Sequence, residues 1–159
     1  GYQLLIKKMY AENLSDSLAI DIAEDGSFFA SVYLDSEDFF SILNAAGNAI
    51  TILCEPGDSI KLEANYFDFR EYKLSGNRES EQINLLSAAT QNFLKQIAYF
   101  SSLIEDSVAS PNYVEIRVNI DKKYKEEFSK LKSFSEDFIA DNEGSLISLL
   151  ALSNVNLRY

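Results

Sequence analysis

Ile52-Leu53-Cys54-Glu55-Pro56-Gly57-Asp58-Ser59-Ile60-Lys61-Leu62 and Tyr72-Lys73-Leu74-Ser75-Gly76-Asn77-Arg78-Glu79-Ser80-Glu81 are the two phrases on which the fold turns. In the first, an apolar run meets a turn with explicit chemistry. Pro56 presets φ at the first corner, Gly57 supplies the positive φ of the second, and Asp58 and Ser59 can bond nearby backbone, the type II pattern. In the second, a strand-like run ends at Gly76, Asn77 is placed as an N-cap, and Glu79 and Glu81 complement a helix dipole. Before Gly76 the apolar residues fall in short runs and alternations; after it they recur at helical intervals for dozens of residues. One chain therefore carries a strand half and a helix half.

Outward from these phrases, residues 3–9, 17–23, 28–34, 39–43, 49–54, 59–64 and 72–74 read as strands, with Leu18, Ile20 and Ile22 on one face of the second. Glu24-Asp25-Gly26-Ser27 predicts a hairpin turn joining the second strand to the third. Downstream, Ile83, Leu86, Thr90, Phe93, Leu94, Ile97, Phe100 and Ile104 mark a helix over 77–105. Ser110-Pro111 reads as a cap and first helical position. Tyr113, Ile116, Ile120, Tyr124, Phe128, Leu131, Phe134 and Phe138 then form a second stripe, although 114–120 would pass for a strand by alternation. Asn142 and Gly144 stop it, and Ser145 caps a short apolar helix over 146–152. The expectation is an α+β chain: an antiparallel β-sandwich or partly open barrel of about seven strands over 1–76, then two long helices and a short C-terminal helix over 77–159.

The 159 residues, 47% of them hydrophobic and including 11 Phe and 9 Tyr, suffice for a packed core. No apolar run approaches the roughly 20 residues that span a bilayer, so no transmembrane helix is expected. The chain opens on Gly1-Tyr2 without an initiator Met, as expected of a processed or recombinantly expressed product from which targeting information could have been cut. Net charge is −11, and residues 1–75 carry 13 acidic against 5 basic side chains. Such a surface repels phosphate, so neither nucleic acid nor an anionic membrane is an expected partner. A lone Cys54 forbids an intrachain disulfide or a Cys-x-x-Cys pair, and the absence of histidine removes Ser-His and Cys-His nucleophiles. Metal sites and cofactors are expected to be none, and no catalytic residues stand out.

Each remaining candidate has a bland reading beside the functional one. Cys54 could be a redox thiol, but in an apolar strand it reads as a small buried hydrophobe. Asp21, Glu24 and Asp25, or Asp35, Glu37 and Asp38, could hold Ca²⁺ or act as paired carboxylates, but acidic turn tips are usually solvated. Lys122-Lys123-Tyr124-Lys125 is followed at once by Glu126-Glu127 and reads as a solvated helix face. The possible contact site for a ligand or partner is Tyr66, Phe67, Phe69 and Tyr72: four aromatics in seven residues could stack on a sugar or grip a peptide, or pack the sheet against a helix.

Asp25-Gly26-Ser27-Phe28, Pro56-Gly57-Asp58-Ser59-Ile60, Leu74-Ser75-Gly76-Asn77 with Glu79-Ser80, and the stretch from Phe138 to Leu152 follow one another in an order that resembles a known arrangement. It is similar to the N-terminal domain called DUF4369, with its following helical segment, of thioredoxin-like AhpC/TSA-type thiol-disulfide oxidoreductases from Bacteroidetes cell envelopes. The resemblance implies an accessory domain of an exported, often lipid-anchored enzyme, periplasmic or outer-membrane associated. A catalytic thioredoxin fold normally follows such a segment, whereas this chain stops at Leu157-Arg158-Tyr159. The family's Cys-x-x-Cys has no counterpart here. The resulting expectation is a non-catalytic module that positions a redox domain or recognises its client proteins, with a protein or an attached thioredoxin-like domain as partner. The alternative is a carbohydrate- or peptide-binding module using the aromatic segment 66–72.

Overall fold

The computed structural model describes residues 1–9 and 17–155. It is α+β, with six antiparallel strands and three helices among the described residues: β1 (Gln3–Lys8), β2 (Ser17–Asp21), β3 (Asp38–Leu43), β4 (Ala49–Cys54), β5 (Lys61–Asn65), β6 (Asp68–Ser75), α1 (Arg78–Ser107), α2 (Tyr113–Asp141) and α3 (Ser148–Val155). The chain divides into two compact units, residues 1–84 and 85–159.

In the first unit four strands form a sheet in the order β2-β1-β3-β4, and β5 and β6 form a separate hairpin; neither closes into a barrel. Register explains which residues go inside. Leu4 pairs with Ile20, Ile6 with Ile42, Phe40 with Ile52 and Ile42 with Ile50. Paired residues share a face, so these side chains make one continuous apolar surface, and all of them are buried. On the opposite face Phe39 pairs with Leu53, and both are also buried. The middle of β3 is thus covered on both sides, while in β2 only Ile20 is buried. Full burial of one such side chain is worth about 1.5–3 kcal/mol.

The turn after β4 forms as its sequence predicts. The Asp58 N–H donates to the Glu55 carbonyl across 3.1 Å, Gly57 has φ 94°, and the Asp58 carboxylate accepts from the Glu55 N–H at 2.9 Å. The joint at Gly76 is tighter still. Gly76 has φ 122°, and a Cβ there would collide with the Ser59 carbonyl oxygen. Asn77 caps α1 by accepting from the Ser80 N–H at 2.8 Å, while its own amide donates to Asp58 and to the Leu53 carbonyl. Asn84 then uses both ends of its carboxamide on one β6 residue, accepting from Leu74 N–H at 3.0 Å and donating to Leu74 O at 2.6 Å. That side chain takes the place of a neighbouring strand. The first compact unit accordingly runs past the 76/77 boundary read from the sequence and takes in the opening turns of α1.

Two strand expectations are corrected. Residues 28–34 form no ladder, so six strands replace about seven among the described residues. A β-favouring composition makes a strand only where a neighbour accepts its backbone bonds, and no described strand pairs with these residues. Residues 68–71, by contrast, belong to β6, which starts well before Tyr72.

In the second unit, Phe93 of α1 with Phe128 and Leu131 of α2 form a buried apolar cluster, flanked by Ala89, Ile97 and Tyr124. Residues 114–120 are helical, as the longer stripe argued. The cap moves to Asn112, because Tyr113 N–H donates to the Ser110 carbonyl in a turn that precedes the helix. The last helix likewise begins at Ser148, after a turn in which Ser145 Oγ accepts from the Ile147 N–H. Asn154 of α3 donates to Thr90 Oγ1 of α1 at 3.1 Å.

Candidate functional site

The aromatic segment 66–72 does not act as one cluster. Tyr66 and Phe67 occupy the tip between β5 and β6, closed by the Asn65–Asp68 pair, with Asn65 Oδ1 accepting from Phe67 N–H at 3.0 Å. The ladder is irregular behind the tip: Ala64 pairs with Tyr72 while the adjacent Asn65 pairs with Asp68, so the register shifts by three residues of β6 between them. Such a bulge re-aims side chains. It turns Phe69 inward, to 7% exposure, while Leu74, at odd spacing from it, is buried as well. Tyr72 is half-buried and Phe67 is 70% exposed.

Tyr66 is the fixed point. Its hydroxyl donates to the Gln3 carbonyl at 3.1 Å and accepts from the Ala45 N–H at 3.3 Å. Its carbonyl accepts from Asn44 Nδ2 at 2.7 Å, and the buried Asn44 in turn accepts from Ala46 and Asn48 N–H groups through Oδ1, each at 3.0 Å. The hairpin tip is thereby tied to β1 and to the β3–β4 turn. Two rings stand around it: Tyr2 lies 4.8 Å from Tyr66, and Phe67 lies edge-on to both, 5.4 Å from each. Tyr2 is 54% exposed. The site the fold builds is therefore Tyr2, Tyr66 and Phe67, an apolar surface in preferred ring geometry with a hydrogen-bonded anchor. Of the sequence candidates it keeps Tyr66 and Phe67 and leaves Phe69 in the core. Tyr2 and Asn44 escaped sequence reading because Tyr2 is far away in the chain and Asn44 was legible only as part of a turn.

The chain matches no family model, no curated protein and no solved structure. The site therefore has to be read from its own chemistry.

Cys54 is half-buried at the end of β4, and burial, then the charges of Asp58 and Asp38, push its thiol up to about 11. At neutral pH it is a protonated thiol, a poor nucleophile and a poor ligand. Glu37 is held above the usual carboxylate range by burial first and then by Glu55, Glu79 and Asp58. Asp25 shifts the other way because Ser27 hydrogen-bonds its carboxylate, through the side chain and through an N–H at 2.9 Å. Asp38 pairs with Lys8 at 2.9 Å. Among the described residues no three Asp, Glu, Cys or His side chains converge as a metal site. In the basic run, Lys122 reaches Glu126 at 4.0 Å, and Tyr124 stacks parallel to Phe128 in the helical core.

Proposed function

We propose that this chain is a non-catalytic interaction module, accessory to an exported thiol-disulfide oxidoreductase of the cell envelope, and that Tyr2, Tyr66 and Phe67 form its contact surface. In this reading it positions a redox domain or recognises client proteins, and the two sheets are the layers of a small sandwich. Support for the sandwich is the burial of Phe39 and Leu53 on one face of the four-stranded sheet and of Ile42 and Ile50 on the other. Support for the family is that the Pro56-Gly57-Asp58 and Gly76-Asn77 phrases form the type II turn and the strand-to-helix joint that the resemblance implies. Leu157-Arg158-Tyr159, after which a redox domain is expected, lies outside the described residues.

The observation that carries the contact surface is the double hydrogen bond of the Tyr66 hydroxyl. A ring held at both ends of its polar handle loses little further freedom when a partner docks on it. Among the described residues no helix is long and apolar enough to cross a membrane. Two measurements test the proposal. The purified chain is expected to leave insulin disulfides intact in a reduction assay, and turnover that depends on Cys54 would overturn the non-catalytic reading. Phe67→Ala with Tyr2→Ala is expected to weaken capture of client proteins or of a separately expressed thioredoxin-like domain at least tenfold with folding unchanged.

A second reading, carbohydrate or peptide binding, rests on the same exposed rings, since a ring face offers a stacking platform to either ligand. Saturable binding on a glycan or peptide array, lost in Phe67→Ala, would favour it, whereas a blank array would remove it.

A further inference from the structure

Residues 23–27 have the full geometry of a three-residue hairpin loop. The Gly26 N–H donates to the Ala23 carbonyl at 2.9 Å, the Ala23 N–H donates to the Ser27 carbonyl at 2.9 Å, and Gly26 has φ 84°. That is a type I turn followed by a left-handed glycine, the arrangement that joins two antiparallel strands. Yet one arm is missing: β2 leads into the loop, and residues 28–34 leave it without a ladder. We infer that residues 28–32 are a hinged arm that closes on the outer edge of β2 as an additional strand of the four-stranded sheet.

The register is fixed by bonds already present. The Ile22 N–H donates to the Tyr2 carbonyl, so alternate residues of this strand, Ile20 and Ile22, bond β1. Ala19 and Asp21 then direct their backbone groups to the other edge, the same side on which Ala23 bonds Ser27. Among the described residues β2 pairs with β1 alone, and no described strand occupies its other edge. Continuing from the Ala23–Ser27 pair sets Ile22 opposite Phe28, Asp21 opposite Phe29, Ile20 opposite Ala30, Ala19 opposite Ser31 and Leu18 opposite Val32. The apolar pairs Ile22–Phe28, Ile20–Ala30 and Leu18–Val32 all fall on the face that carries Leu4 and Ile6. A shift of one residue would put the arm's apolar side chains on the wrong face.

The arm itself is already graded for this pairing. Phe28 and Ala30 are half-buried, while Phe29 and Ser31 are exposed. Residues 28–34 contain no charge, Pro or Gly, the composition of a strand that needs a neighbour. Closure covers the edge of β2 and the partly exposed Leu18 and Val32 together. Opening returns an unpaired sheet edge, the kind of surface onto which another strand can add.

The test is a cross-link in the Cys54→Ala background. Leu18→Cys with Val32→Cys places two thiols directly opposite at a position where antiparallel Cβ atoms approach within disulfide range. Mild oxidation is expected to give an intramolecular disulfide, read as a faster-running monomer on a non-reducing gel. Leu18→Cys with Ser31→Cys, whose side chains point to opposite faces, is expected to stay reduced. A link between chains alone would mean that a second copy supplies the strand, and equal reaction of both pairs, or of neither, would overturn the register. In the unmodified chain, amide exchange at Phe29 and Ser31, after correction for intrinsic rates, is expected to be roughly tenfold slower than at Ala30 and Val32. Uniformly fast exchange across 28–32 would overturn closure.

Discussion

The turn at Glu55-Pro56-Gly57-Asp58 and the turn at Ala23-Glu24-Asp25-Gly26-Ser27 are equally well made, yet the chain does different things after them. Each has a glycine at positive φ, a backbone bond across the corner and an aspartate that accepts from a nearby N–H. Beyond the first, a chain of side-chain hydrogen bonds fastens the joint: Asp58 with Asn77, Asn77 with the backbone of Leu53 and Ser80, and Asn84 with the backbone of Leu74. Beyond the second, residues 28–34 run with Phe29 85% and Tyr33 87% exposed and no ladder. The difference teaches that turn chemistry reverses a chain without deciding what the reversed chain pairs with. Pairing needs partners that close the backbone's bonds on the far side.

The comparison is tested most severely at Gly76. An alanine there would have to adopt φ 122° while its Cβ overlapped the Ser59 carbonyl oxygen. Backbone has no flexible end to move aside, so Gly76→Ala is expected to lower stability by roughly 3 kcal/mol or more, read from the midpoint of a urea transition. Gly57→Ala suffers the left-handed backbone cost alone, since nothing lies within 4 Å of its Cβ, and should lose about 1–2 kcal/mol. Equal losses at the two glycines would mean that the joint is no tighter than an ordinary turn.

The next largest effect is expected at Asn84. Leu74 is 1% exposed, and both its backbone groups are met by one carboxamide. Asn84→Leu keeps the bulk and helix propensity but leaves a buried N–H and a buried carbonyl without that partner, at a cost of about 2 kcal/mol. If Asn84→Leu is neutral in urea denaturation, side-chain fastening does not distinguish the two regions.

How far all this was legible depends on whether the deciding interaction is local. Pro56-Gly57 and Asn77 act within a few residues of themselves, so the turn, the cap and the switch from strands to helices could be read directly. The persistence of the stripe through Phe128 and Leu131 likewise outweighed the strand-like alternation at 114–120. Residues 28–34 carried as strong a local signal, but a strand is completed by a neighbour and sequence periodicity names none. At the candidate site, four aromatics in seven residues were visible, whereas the bulge that buries Phe69 depends on the register with β5. Tyr2 joins Tyr66 only through that folded hairpin, and no spacing in the chain announces a contact between residues so far apart.

The smallest expected effect is the sharpest check on the second region. Phe29 is 85% exposed in the open arm, and in the closed register it lies opposite Asp21 on the face away from Leu4 and Ile6. In neither arrangement does its ring enter the core, so Phe29→Ala should shift stability by less than about 0.5 kcal/mol. Phe39→Ala is the internal standard, because Phe39 is 2% exposed and a truncated core phenylalanine costs about 3–5 kcal/mol. Paired urea titrations of the two variants measure the contrast directly. A loss above about 1 kcal/mol at Phe29 would require its ring to be buried in solution, a burial absent from both the open arm and its closed register.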